Sequence, residues 1–102
     1  MDLEKFRADI AELYKVKGWN TDWRWLTTGY FAESGELIQS IIKKEDKEVI
    51  AEEFADVMHY LLELMNTTCS DINLDEAFQK KIESNKVNKK KTTDEKGNVV
   101  LK

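Results

Sequence analysis

Residues 26–65 decide the fold, and they read LTTGYFAESGELIQSIIKKEDKEVIAEEFADVMHYLLELM. Apolar side chains recur at helical spacing on both sides of the fully charged stretch 43–47, which predicts two helices joined by a tight turn. The first of these helices is expected from about Asp22 to Lys43, and the second from about Glu48 to Thr67. Because the second helix is apolar on most sides, it is expected to be central and buried.

One further helix is predicted on each side of this hairpin. The first runs from Asp2 to Val16 and ends before Gly18, a residue type that commonly terminates helices. The last begins at Asn73 and runs to about Lys86. The predicted fold class is therefore all-α, a four-helix bundle formed by residues 1–86. Residues 87–102 are expected to form a Lys-rich, basic C-terminal tail that is partly disordered or carries a short strand over 96–100.

The composition excludes several classes of protein. The chain of 102 residues has no proline and only four glycines, so it lacks the turn signals of a β-sandwich. No uncharged run is long enough to cross a bilayer, and no signal-peptide pattern is present, so no membrane partner is expected. The single cysteine, Cys69, excludes an internal disulfide and is interpreted as a small buried or loop thiol. We therefore expect a cytoplasmic protein.

Charge is distributed unevenly along the chain. Residues 1–79 carry 8 Lys/Arg and 17 Asp/Glu, whereas residues 80–102 carry 8 Lys and 3 Asp/Glu. An acidic body disfavours binding to nucleic acid, because the phosphate backbone requires positive charge on the protein. The distribution favours a protein that binds cations on its body and anions beside them.

Two pairs of carboxylates interrupt the apolar rows of the central hairpin. Glu33 and Glu36 are three positions apart on one predicted helix, and Glu53 and Asp56 are three apart on the next. Residues at this spacing project from the same side of a helix. In an antiparallel hairpin, facing positions have numbers that add to a constant, and Glu33 with Asp56 gives the same total as Glu36 with Glu53. Four carboxylates are therefore expected at one small volume, where they require protons or cations.

An all-oxygen ligand set favours Mg²⁺ first and Mn²⁺ second. A ferritin-type di-iron site would need two Glu-x-x-His motifs, and the chain has one histidine, His59, which is expected on a helix flank. The alternative for Glu36 is an ordinary solvated surface charge, the commonest fate of a glutamate.

At these residues the sequence resembles the MazG-like, all-α nucleoside triphosphate pyrophosphatases. Their pattern is Glu-x-x-Glu, a variable spacer and then Glu-x-x-Asp, and here Glu33-Ser-Gly-Glu36-Leu and Glu53-Phe-Ala-Asp56-Val are separated by residues 37–52. The segment 75–86 is also similar to the family. The chain departs from the pattern after Asn85, where the family often has Arg and Tyr-Pro and this chain has Lys86 and Val87.

The resemblance implies Mg²⁺-dependent hydrolysis of (deoxy)nucleoside triphosphates to the monophosphate and pyrophosphate, which removes surplus or non-standard nucleotides. It implies that Glu33, Glu36, Glu53 and Asp56 are metal ligands, with Glu33 or Glu36 as the alternative general base. It also raises Lys81 and Asn85, four apart on the last helix, to candidate phosphate contacts, whose alternative is a solvated helix face.

Aromatic residues lie close to this constellation in the sequence. Trp19, Trp23 and Trp25 either stack on the nucleobase or close the end of the bundle. Tyr60 follows Asp56 by one helical turn and is a candidate contact to the sugar or base.

Two expectations concern partners. The second apolar edge of the hairpin, formed by Phe31, Ile38 and Ile42, is not covered by four helices in one layer, so a homo-oligomer (dimer or tetramer) is predicted. The alternative to an enzyme is a non-catalytic helical interaction module whose carboxylates are neutralised by a basic partner.

Overall fold

The computed structural model describes the backbone of residues 2–87 and 91–101 and the side chains of residues 2–87 and 93–100. The described chain contains four helices, α1 (Leu3–Lys17), α2 (Trp23–Ile42), α3 (Lys47–Thr68) and α4 (Leu74–Val87), followed by the short strands β1 (Lys91–Thr93) and β2 (Val99–Leu101). The all-α fold class is confirmed. The chain forms two compact units, Asp2–Asp71 and the segment Ile72–Lys102, which are described separately.

The first unit is built on the α2–α3 hairpin, and α1 packs against α3. A Schellman motif ends α2: the N–H of Lys44 donates to the carbonyl of Ile41, and the N–H of Glu45 donates to the carbonyl of Ser40, both at 3.1 Å. Lys44 adopts the left-handed conformation, with φ of 55°. This motif reverses the chain within four residues, so the hairpin takes the register that the sequence predicts.

A buried polar network ties α1 to the end of α3. Nε of Arg7 donates to Oδ1 of Asn66 at 3.0 Å, and Nδ2 of Asn66 donates to the backbone carbonyl of Arg7 at 2.8 Å. The same Asn66 amide donates to Oε1 of the buried Glu63 at 2.8 Å. Because Arg7 and Glu63 are both buried and hydrogen-bonded, the network determines where α1 lies on α3.

The core of this unit is small, and Leu26 on α2 is its fully buried member. Its other buried apolar side chains are Ile10, Tyr14, Leu37 and Leu62. The expectation of a buried α3 is only partly met. The helix packs between the other two, yet Phe54 is 51% exposed and Met58 is 40% exposed.

The second unit begins with α4, and Oδ1 of Asn73 accepts the N–H of Glu76 at 2.9 Å, as expected of a cap residue. The tail forms an antiparallel hairpin in which Thr93 pairs with Val99. The predicted strand over 96–100 is therefore correct only from Val99. Lys96 and Gly97 lie in the turn, because Asp94 accepts backbone N–H groups there and Gly97 has φ of 83°. None of the described helices combines the length and the apolar character that a membrane span requires.

Candidate functional site

Three carboxylates converge where α2 and α3 pack together. One oxygen from each of Glu33, Glu53 and Asp56 lies within 4.8 Å of the other two. Glu33 projects from α2 and the other two project from α3, so the cluster is produced by the hairpin register. The arrangement is the one that the spacing of these residues predicts.

Two oxygens of this cluster are buried without a donor. Oε2 of Glu33 and Oε2 of Glu53 accept no hydrogen bond from any part of the chain that the structure describes. Burial raises the pKa of Glu33, and the negative charges of Glu36 and Asp56 raise it further. Burial likewise raises the pKa of Glu53, with the same two neighbours as the next causes. Uncompensated carboxylates of this kind fit a hard cation with oxygen ligands, because the ion supplies the missing positive charge.

Glu36 has a different position from the other three. It is exposed, and among the described residues it does not join the cluster of converging oxygens. Its charge nevertheless raises the pKa of both Glu33 and Glu53, so it lies close to the cluster. The structure therefore brings together three of the four predicted ligands and leaves Glu36 at the rim.

An open cavity of about 370 Å³ adjoins the carboxylates. This volume is within the range of about 300–1,000 Å³ that ligand pockets usually have. Its walls are mainly aromatic, and its acidic residues are two members of the cluster. The residues that line it are Tyr14, Trp19, Trp25, Glu33, Asp56, His59 and Tyr60.

The end of α1 places Trp19 at this cavity. Gly18 adopts the left-handed conformation with φ of 65°, and the N–H of Trp19 donates to the carbonyl of Tyr14 at 3.1 Å. This Schellman motif folds the chain back, so the Trp19 and Tyr14 rings meet edge to face with centroids 5.4 Å apart. Burial raises the pKa of Tyr14 to about 12, with Tyr60 and Glu63 as further causes.

At the start of α2, the other two tryptophans have different surroundings, and only one of them lines the cavity. Asp22 caps the helix by accepting the N–H of Arg24 at 2.9 Å. Trp25 then lines the cavity, whereas Trp23 is outside the described lining and its ring centroid is 6.0 Å from the Arg24 guanidinium. Trp19 is 49% exposed and Trp25 is 58% exposed. Neither is therefore a buried side chain that closes the end of the bundle.

Sequence reasoning missed two residues of the cavity wall. His59 was expected on a helix flank, but it lines the cavity together with Asp56, three positions earlier on the same face of α3. Tyr14 was assigned only to the apolar face of α1. The signal that could have located Tyr14 is Gly18. A Schellman motif brings the residue four positions before the glycine close to the residue that follows the glycine, and these are Tyr14 and Trp19.

The predicted phosphate contacts lie in the second unit. Lys81 and Asn85 are one turn apart on α4, and both are exposed. Their side chains are thus accessible from one face of that helix, and their role stays a prediction.

Comparison with known proteins agrees with this picture. A family model described as the MazG nucleotide pyrophosphohydrolase domain matches residues 25–93. The matched segment is well over half of the chain and contains both carboxylate pairs. No curated protein and no solved structure matches the chain.

Proposed function

Because this chain belongs to the MazG nucleotide pyrophosphohydrolase family, we propose that it hydrolyses (deoxy)nucleoside triphosphates between the α- and β-phosphates, with Mg²⁺ as cofactor and Mn²⁺ as a substitute. The observation that supports this function best is the pair of buried, undonated oxygens on Glu33 and Glu53 beside Asp56. Leaving such oxygens unpaired is unfavourable, and a divalent cation bound to the triphosphate would compensate them.

Each carboxylate has a proposed role in the reaction. Glu33, Glu53 and Asp56 would hold the cation, and Glu36 would complete the site from the rim. When bound, Mg²⁺ supplies positive charge that offsets the phosphate oxygens and favours ionisation of water. A water oxygen attacks the α-phosphorus, the bond from this phosphorus to the bridging oxygen breaks, and pyrophosphate leaves. Either Glu36 or Glu33 would act as general base instead of as a ligand and accept the proton of the water.

The aromatic cavity is the proposed nucleoside site. Trp19 and Trp25 are the stacking candidates, since aromatic faces bind nucleobases with about 1–3 kcal/mol per base. Tyr60 lines the same cavity one turn after Asp56, where the sugar or base would lie. The cavity gives no support to Trp23 as a contact.

The family resemblance also implies phosphate contacts on the last helix. Lys81 and Asn85 on α4 are the proposed phosphate contacts, and the lysine-rich tail adds a positive field for a polyanion. Removal of surplus or non-standard nucleotides would be the cellular role, in the cytoplasm.

We also propose a homo-oligomer, a dimer or a tetramer. The apolar edge of α2 is exposed in the single chain: Phe31 is 68% exposed, Ile38 is 54% exposed and Ile42 is 72% exposed. Their positions are seven and four residues apart, so they lie along one side of the helix. An apolar edge of this kind favours a helix–helix interface with a second copy.

The decisive experiment measures pyrophosphate release from a panel of ribo- and deoxynucleoside triphosphates. We expect release with Mg²⁺ or Mn²⁺ and none with EDTA or with Ca²⁺ alone, because the larger and more flexible Ca²⁺ would misplace the water. Full activity in EDTA would contradict the metal assignment. If no triphosphate in the panel is cleaved, the helical interaction module becomes the better interpretation.

A matched pair of variants separates the site from general surface charge. Glu53→Gln should abolish release of pyrophosphate, since it removes a cluster carboxylate with little change in shape. Glu48→Gln changes an exposed glutamate in the first turn of the same helix and should retain activity. Equal activity of the two variants would contradict the assignment of Glu53.

A further inference from the structure

Gly29 and Tyr60 face each other next to the carboxylates. Gly29 precedes Glu33 by one turn on α2, and Tyr60 follows Asp56 by one turn on α3. Their position numbers add to the same total as those of Glu33 and Asp56, so the pair occupies the next layer of the hairpin. In this layer the Tyr60 ring rests directly on the α2 backbone, because a Cβ added at Gly29 would overlap with three of its ring carbons.

The glycine is otherwise unexplained in its helix. Glycine in a helix interior is less favourable than alanine, because it loses more backbone freedom on folding. Gly29 has an ordinary helical backbone, so no positive φ requires it. The close approach of the Tyr60 ring is the feature of the structure that does require a residue without a side chain.

We propose that Gly29 is a positioning residue that sets the place of the Tyr60 ring and thereby the room for a nucleoside beside Glu33 and Asp56. This inference rests on the proposed function. A methyl group at position 29 would displace the ring from α2, and the open space next to the ring is the cavity that Tyr60 lines. Packed side chains elsewhere resist displacement, so the cavity would become smaller. A purine nucleoside would then lose more binding than a pyrimidine nucleoside.

Gly29→Ala tests the proposal, with Gly35→Ala as the control in the same helix. A Cβ at Gly35 meets nothing within 4 Å. Gly35→Ala should therefore raise the melting temperature through helix propensity alone. Gly29→Ala should not give this rise, because displacement of the Tyr60 ring offsets the gain in propensity. With Mg²⁺ present, Gly29→Ala should raise KM for dATP by about tenfold, raise KM for dTTP less, and leave kcat within about twofold.

A double variant shows whether the ring is the cause. In a Tyr60→Leu background, Gly29→Ala should raise the melting temperature, as Gly35→Ala does, and KM for dATP should equal that of Tyr60→Leu alone. The double variant tests the proposal even if Gly29→Ala alone does not fold, because removal of the Tyr60 ring should then restore folding. Equal effects of Gly29→Ala with and without the Tyr60 ring would overturn the proposal. Calorimetric titration with Mg²⁺ should give the same affinity for wild type and Gly29→Ala, which a general disruption of the site would not.

The outcomes distinguish this inference from the proposed function. If wild type hydrolyses dATP and Gly29→Ala keeps the wild-type KM, the inference is wrong and the function stands. If wild type neither cleaves nor binds any triphosphate of the panel, both are wrong.

Discussion

In the described part of the chain, Glu33 and Glu53 carry the buried polar side-chain atoms that lack a hydrogen-bond partner. Each carries a carboxylate oxygen that is buried and accepts no hydrogen bond from the described chain, within a cluster of like charge. Their pKa values are raised for that reason, so the ionised form is unfavourable in the folded state without a cation. An arrangement that is unfavourable in the metal-free fold is consistent with residues that serve binding.

The pH dependence of stability should show this cost directly. Where the folded-state pKa of a carboxyl is raised, its favourable contribution is full below the unfolded value near 4.5 and is lost as the pH rises through the folded value. In EDTA, the melting temperature of wild type should therefore fall as the pH rises above about 4.5. The hydrogen bond from Arg24 lowers the pKa of Asp22 to about 2. The stability that this carboxylate contributes is lost only as the pH falls toward that value, so it does not mask the trend above about pH 4.5.

Glu53→Gln provides the internal comparison for these melts. The variant should be as stable as wild type or more stable in EDTA near neutral pH, and its pH dependence should be weaker. Mg²⁺ should raise the melting temperature of wild type more than that of the variant, because a ligand stabilises only the state that binds it. Loss of stability in EDTA together with an unchanged Mg²⁺ response would identify Glu53 as a purely structural residue.

At the scale of elements, the C-terminal ends of α1 and α2 determine how the first unit is arranged. Both α1 and α2 terminate in a Schellman motif with a left-handed residue, Gly18 in the first and Lys44 in the second. The first motif brings Trp19 to the cavity, and the second sets the register that gathers the carboxylates. Gly18 suits the left-handed conformation, whereas a lysine with φ of 55° is strained by its Cβ.

The strain at Lys44 predicts a stabilising substitution. Lys44→Gly should raise the free energy of unfolding by up to about 1 kcal/mol, since relief of the left-handed strain exceeds the added freedom of the unfolded chain. Lys43→Gly removes the same charge from a residue with φ of −76°, and it should lower stability by about 0.5–1 kcal/mol. Urea unfolding of the two variants measures the difference, and equal values would contradict the helix-end argument.

At the scale of the whole molecule, the single chain leaves much apolar surface uncovered. A domain of 102 residues has a limited core, and here the exposed apolar side chains occur on both helices of the hairpin. Phe31, Ile38 and Ile42 on α2 and Phe54 on α3 are each more than half exposed. Exposed apolar surface of this extent is typical of a subunit that associates with another.

The assembly prediction follows from this surface. Light scattering at micromolar concentration should give a mass of at least twice the 11.9 kDa of one chain. Phe31→Lys should shift the protein toward the monomer, because it places a charge on the predicted interface. Val16→Lys makes the same change at an exposed residue of α1 and should leave the mass unaltered. A wild-type mass of one chain would refute the oligomer.

Local rules account for the part of this protein that was predictable. The four helices and the meeting of Glu33, Glu53 and Asp56 follow from helical periodicity, from cap residues and from the length of one charged turn, all of which involve residues near in sequence. Once two helices are joined by a short turn, their facing positions are set. The family resemblance was also carried by these local motifs, and the family match confirms it.

The composition of the cavity wall was decided only by the tertiary structure. Sequence spacing treated Trp19, Trp23 and Trp25 alike, but the rotation of α1 and α2 about their axes brings two of them to the cavity together with His59. That rotation depends on contacts between residues far apart in sequence, such as the hydrogen bond from Arg7 to Asn66. Helical periodicity gives the face of each helix but not which faces meet, because the meeting faces are chosen by long-range packing.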